Sequence, residues 1–294
     1  MHQYFRLCVL LALLISSSIS RAADVVWSAF DWQQTEIVAG AGKVRAAIVV
    51  QILVNGVECN AQLDTGAPSK VIWHRGADAS LPSVETIVEV AGLRHAVKAK
   101  TPQLVGLESN NCKNEIIATI GNAYFEEGTL SLDLKENRLA FSPTGLLSKE
   151  AKAQPINYAQ WSGNNGGHIV IEVILPNGKL GYAMLDTGAA SFSMSAMSEA
   201  DWNTLTENAP LQQSANVKEY KVNSWGKKIP CFETLAPGSI VIAQSFKVEH
   251  FRASYCVQDA FKPGQKLVGL LGLRDLQGKQ ITIDYRSRRW LISN

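Results

Sequence analysis

Residues 51–69 read QILVNGVECNAQLDTGAPS, and residues 173–191 read VILPNGKLGYAMLDTGAAS. Both keep one order at a constant offset of 122 residues: an apolar run, Asn-Gly, a second apolar run, then Leu-Asp-Thr-Gly-Ala. Asn-Gly tolerates the positive φ angles of a tight turn, so each copy predicts two antiparallel strands joined at Asn55-Gly56 or Asn177-Gly178. The second strand of each pair ends in an aspartate on a glycine-containing loop. Two such loops in register predict a pair of carboxylates, Asp64 and Asp186, brought together by a pseudo-twofold axis.

Working outward, the chain reads as short strands with turn signals every eight to twelve residues, the pattern of an all-β architecture with few short helices. Val44 to Val54 and Val57 to Leu63 form the first hairpin, and Ser69 to Trp73 a short strand. Thr86 to Val90 and His95 to Ala99 alternate around Ala91-Gly92. Ile116 to Ile120 ends at Gly121, and Thr129 to Leu134 with Arg138 to Phe141 make a closing hairpin. In the second half, His168 to Leu175 restarts the strand pattern. Ser195 to Asn208 has helical spacing with Ser198 as cap and Asp201 three residues on. Tyr220 to Val222 and Lys228 to Pro230 flank a turn containing Trp225-Gly226, and Ile281 to Tyr285 with Arg289 to Ile292 end the chain. Asp24 to Gly42 reads as a mixed lead-in, with Val44 to Val54 as the first convincing strand.

The 294 residues suffice for two domains, each with its own core. The expected division is a signal peptide over 1–22, a first lobe over 23–146, a linker over 147–167 and a second lobe over 168–294. The leader has Arg6, an apolar run from Leu7 to Ile15, and small residues at Ser20 and Ala22. No later stretch is long and apolar enough for a transmembrane helix. Removing 1–22 removes Arg6 and Arg21 but no acid, leaving 26 basic and 26 acidic residues, which gives no basis for a nucleic-acid or anionic-membrane partner.

Four cysteines remain after the leader, two per half. In an exported chain they read as disulfides, and their distribution favours Cys59 with Cys112 and Cys231 with Cys256 among three possible pairings. No C-x-x-C or H-E-x-x-H occurs, so no metal or organic cofactor is expected.

Asp64-Thr65-Gly66-Ala67 and Asp186-Thr187-Gly188-Ala189 resemble the active-site loops of aspartic proteases. Leu270-Leu271-Gly272 and the hairpin after it match the end of a lobe in that family. Thr119-Ile120-Gly121 before Leu130 to Phe141 matches more loosely, since Thr119 departs from the apolar preference. Alanine after each Asp-Thr-Gly, and the size of each half, point to the retropepsin-like branch. The resemblance implies two β-barrel lobes with a cleft between them, and a monomer that assembles its site internally. It implies hydrolysis of a peptide or protein by water activated between Asp64 and Asp186, with Thr65 and Thr187 exchanging hydrogen bonds and with flaps near Ala91-Gly92 and Trp225-Gly226. The leader makes export the expectation, with the periplasm as the expected compartment and the extracellular space as the alternative. The competing expectation is a catalytically silent protein that binds a peptide or envelope partner in the same cleft.

Overall fold

The computed structural model describes residues 25–37, 40, 42–107, 110–148, 151–160, 166–211, 216–224, 227–243, 246–257 and 266–294. The expected signal peptide and the Trp225-Gly226 turn lie outside these residues. The described chain is all-β with few short helices.

The first half contains β1 (Trp27–Thr35), β2 (Val44–Val54), β3 (Val57–Leu63), β4 (Val71–Trp73), β5 (Ser83–Val90), β6 (Leu93–Lys100), β7 (Ile116–Ile120), β8 (Thr129–Asp133) and β9 (Arg138–Ser142). Between β6 and β7 lies the one-turn helix α1 (Thr101–Leu104). Next come β10 (Gln154–Pro155), β11 (Asn157–Gln160), β12 (Gly167–Ile174), β13 (Leu180–Leu185) and β14 (Met194–Ala196). The helix α2 (Glu199–Thr206) follows, capped by Ser198, whose hydroxyl accepts from the Asp201 N–H. The chain ends with β15 (Lys218–Ser224), β16 (Lys227–Leu235), β17 (Ser239–Ile242), β18 (Phe246–Glu249), β19 (Arg252–Cys256), β20 (Gly269–Leu271), β21 (Gln280–Asp284) and β22 (Arg289–Ser293).

Both Asn-Gly hairpins form. β2 pairs β3 around Asn55-Gly56, both residues at positive φ, and β12 pairs β13. A parallel strand then lies beside each aspartate-bearing strand, β7 against β3 and β20 against β13. The strands fall into two sheets. The last hairpin, β21–β22, leaves the second half and joins β8, with Leu130 opposite Ile283 and Leu132 opposite Ile281. All four side chains are buried, so the core continues from one half into the other.

Two expectations change here. The first strand is not Val44 to Val54, because within the mixed lead-in Trp27–Thr35 forms β1 between β2 and β9. Its aromatics Trp27, Phe30 and Trp32 favour a strand, and Phe30 to Gln33 alternates, but Trp27 lies out of phase with Phe30 and Trp32, and Gln34 stands where the next apolar residue would fall. Within the expected linker 147–167, β10 pairs β22 and β11 pairs β12, so part of that segment is sheet.

The disulfides are Cys59–Cys112 and Cys231–Cys256. They close loops of 53 and 25 residues, which in the chain-entropy account is worth about 3–4 kcal/mol each. Cys231 and Cys256 face each other across β16 and β19, which fastens the base of the β15–β16 hairpin.

Candidate active site

Each aspartate stands where its strand stops and the loop turns. The Asp64 N–H donates to the Ile120 carbonyl at 2.9 Å, and the Asp186 N–H to the Leu271 carbonyl at 2.9 Å. The parallel strand thus fixes each loop's root. The closing glycines lie against the loop they support. A Cβ on Gly121 would sit 2.4 Å from the carbonyl oxygens of both Ala67 and Ser69, and one on Gly272 2.2 Å from that of Ala189 and 2.4 Å from that of Phe192. The first half, with the weaker sequence match, is therefore built like the second. Thr119 has a local reason for its departure, since its hydroxyl is 2.8 Å from His74 Nε2 on the cleft wall.

The loops lock together through their threonines. The Thr65 N–H donates to Thr187 Oγ1 (2.9 Å), and the Thr187 N–H to Thr65 Oγ1 (3.0 Å). Each hydroxyl then donates across the axis, Thr65 to the Leu185 carbonyl (2.8 Å) and Thr187 to the Leu63 carbonyl (3.0 Å). Both threonines are fully buried, so the four bonds are shielded from water.

This lock brings the carboxyl groups of Asp64 and Asp186 within hydrogen-bonding reach of each other. The Gly66 N–H donates to Asp64 Oδ1 at 2.7 Å, and the Ala189 N–H to Asp186 Oδ1 at 3.2 Å. Gly66 and Gly188 must lack side chains, because a Cβ on either would meet a carboxyl oxygen at 2.6 Å. Ala67 is buried beneath its loop. Burial raises Asp186 well above its ordinary 3.8, and the charge and hydrogen bond of Asp64 push the same way. Burial raises Asp64 too, against hydrogen bonds from Asp186, Gly66, Gly188 and Ala67. Like charges this close cannot both ionise readily, so the pair holds one proton over a range of pH and the proton belongs to the pair.

A carboxyl whose folded pKa is raised contributes stability that is fully present below its unfolded value and is lost as pH rises through the folded value. Asp186→Asn, which removes the charge, is expected to raise the melting temperature at pH 7 and to leave it unchanged near pH 3. Thermal unfolding of both forms across that range checks this, and an equal shift at both pH values would contradict it.

The dyad opens into a cleft of about 1060 Å³. The first half lines it with Gln33, Thr35, Glu36 and Ile37 from β1 and the turn after it, and with Ile72, Trp73 and His74. The second half contributes Phe192 and Ser195, with Lys221, Val222 and Lys228 from the β15–β16 hairpin. The described strands of the second expected flap thus border the cleft.

The first expected flap does not. Ala91 and Gly92 form the turn of β5–β6 as read, with φ 48° and 77°. However, β5 pairs with β2 at Leu53 and Val54, about 20 Å along the strand from Ile48, which faces Leu63 beside the aspartate. The Tyr124 hydroxyl donates to the carbonyls of Val88 (2.7 Å) and Leu93 (2.9 Å) and holds that turn to the body of the first half. β17 sits on the end of β12 as β5 sits on the end of β2, so β5–β6 corresponds to β17–β18 and not to β15–β16. The β1–β2 hairpin borders the cleft in its place, a role the sequence reading missed.

Among the described residues no group of three or more His, Cys, Asp or Glu is placed to hold a metal ion, and no helix is long and apolar enough to cross a membrane. No protein-family model and no curated protein matches this chain.

Proposed function

We propose that this chain is an aspartic endopeptidase of retropepsin-like type. The observation that carries this reading is two aspartates from symmetry-related loops, Asp64 buried and Asp186 half-buried, within hydrogen-bonding reach and held by reciprocal threonine bonds. In the singly protonated pair, the ionised carboxylate takes a proton from water as the water oxygen bonds to the scissile carbonyl carbon. The protonated carboxyl gives its proton to the carbonyl oxygen. The carboxyl that took the water's proton then gives it to the nitrogen, the C–N bond breaks, and a hydroxyl of the tetrahedral adduct returns its proton to the other carboxylate, which restores the singly protonated pair. An extended peptide fits a cleft walled by strands, where backbone and side-chain contacts can both be made.

The two disulfides fit export to an oxidising compartment, and the periplasm suits the leader. The test is cleavage of a peptide library by the purified mature protein, inhibited by pepstatin. Ala67 and Ala189 offer the carboxylates no hydroxyl donor, so activity is expected to extend into weak acid. No cleavage between pH 3 and 8 would sink the reading and leave a binding protein on the same fold.

A preference follows from the cleft's charge. Lys221 and Lys228 border it and form no ion pair among the described residues. Peptides with Asp or Glu on one side of the scissile bond are expected to be cleaved roughly 2- to 5-fold better per lysine, the worth of a partly exposed ion pair. Lys221→Glu should abolish that preference, and profiling the variant on the same library reads it out.

A further inference from the structure

Directly after Gly121 the chain carries Asn122, fully buried, with both ends of its amide used. Its Nδ2 donates to the Thr65 carbonyl at 2.6 Å and to the Gly167 carbonyl at 2.9 Å. Its Oδ1 accepts from the Tyr285 hydroxyl at 2.8 Å. Three chain segments therefore meet on one side chain: the first catalytic loop, the start of the second half's first strand, and the end of the final hairpin.

The bond to Thr65 bears on the dyad because a peptide unit is planar. The Thr65 carbonyl and the Gly66 N–H belong to one plane, and that N–H donates to Asp64 Oδ1. Holding the carbonyl from behind aims the N–H at the carboxylate and polarises it. The same stretch of the second half touches the loop twice more. Gly166 approaches so closely that a Cβ there would lie 1.9 Å from the Pro68 carbonyl oxygen, and His168 is hydrogen-bonded to the Gly66 backbone. Behind Asn122 the bonding continues, with the Gly167 N–H donating to the Tyr158 hydroxyl at 3.0 Å and that hydroxyl donating to Glu126. Arg288 stacks on the Tyr158 ring. At the matching position of the second half, directly after Gly272, stands Leu273, apolar and fully buried.

We propose that Asn122 is a positioning residue. It fixes the Thr65–Gly66 peptide, ties it to the second half through Gly167 and Tyr285, and so holds Asp64 in register with Asp186. The dyad is thereby asymmetric: the Asp64 loop has a polar brace that the Asp186 loop lacks at the matching position. Losing the brace weakens the Gly66 hydrogen bond, which favours the ionised form of Asp64, so Asp64 should then protonate more readily.

The test uses the whole mature protein with Asn122→Ala and with Tyr285→Phe, which removes one hydroxyl and keeps the ring. Its activity readout rests on the peptidase reading, so carbon-13 titration of the Asp64 and Asp186 carboxyls is recorded alongside. Asn122→Ala is expected to lower kcat about 10- to 100-fold, the scale of a displacement near 1 Å, with KM within about twofold. Tyr285→Phe should lower it in the same direction by less. In both, the acid limb of the pH profile and the Asp64 titration should move to higher pH. If both variants fold and keep the wild-type kcat and dyad titration while only their melting temperatures fall, Asn122 is merely structural and the proposal is overturned. If the wild-type protein cleaves nothing, the peptidase reading fails, and the carboxyl titration still decides for or against the brace.

Discussion

Replacing either aspartate by asparagine, Asp64→Asn or Asp186→Asn, is expected to lower kcat/KM by about 10³- to 10⁴-fold, the upper part of the range for one general acid–base group. The upper part applies because one pair supplies both the base that deprotonates water and the acid that protonates the carbonyl oxygen. An amide in either position removes the shared proton and with it both functions. The double variant should be no worse than either single one, since residues that act as a unit do not contribute additively. Steady-state cleavage of one good peptide by the three variants tests this. A single variant that keeps more than about a tenth of the activity would exclude a shared-proton mechanism. The same Asp186→Asn change is expected to stabilise the fold at neutral pH, because burial raises this carboxyl and its ionisation opposes folding. Loss of turnover with a gain in stability separates a catalytic defect from a folding defect, and matches a site whose strain serves activity.

Gly272→Ala is expected to cost about 3 kcal/mol or more in stability, at or above the usual range for overpacking, because the new Cβ meets only backbone. It would stand 2.2 Å from the Ala189 oxygen and 2.4 Å from the Phe192 oxygen. Neither oxygen can move freely: Ala189 accepts from the Phe192 N–H at 3.0 Å, and Phe192 from the Arg274 N–H at 3.1 Å. Relief would break a hydrogen bond or push the Asp186 loop toward Asp64. The melting temperature should fall by about 6–12 °C, and Gly121→Ala should behave alike. Gly76→Ala is the control, since a Cβ there has nothing within 4 Å and should change stability by less than about 0.5 kcal/mol. Equal melting temperatures for Gly272→Ala and Gly76→Ala would show that the loop can yield.

The parts of the site legible in sequence were those written as local chemistry. Asn55-Gly56 and Asp64-Thr65-Gly66 specify a turn and a loop from their own residues, and repetition at 122 residues implied the axis between them. The sequence favoured the disulfide pairing found without fixing it, because two cysteines fall in each half while three pairings were possible. The reading failed where partner choice is long-range. Ala91-Gly92 is a hairpin turn in either place, and only the pairing of β5 with the far end of β2 removes it from the cleft. Strand β1 carries weak alternation because its register is imposed by β2 and β9 on either side. Asn122 looked like any polar residue after a glycine, since Thr65, Gly167 and Tyr285 meet it from 45 to 163 residues away.

By itself the sequence determined the strand-rich class, the two aspartate loops and the glycines that close them, because turn geometry, strand alternation and close packing against glycine are properties of a few adjacent residues. Only the tertiary structure decided which hairpin borders the cleft, that the final strands of the second half join the first, and that one carboxyl's loop is braced by an asparagine. Those outcomes depend on which distant backbone and polar groups satisfy one another once buried, and burial obliges each to find a partner that no local pattern names.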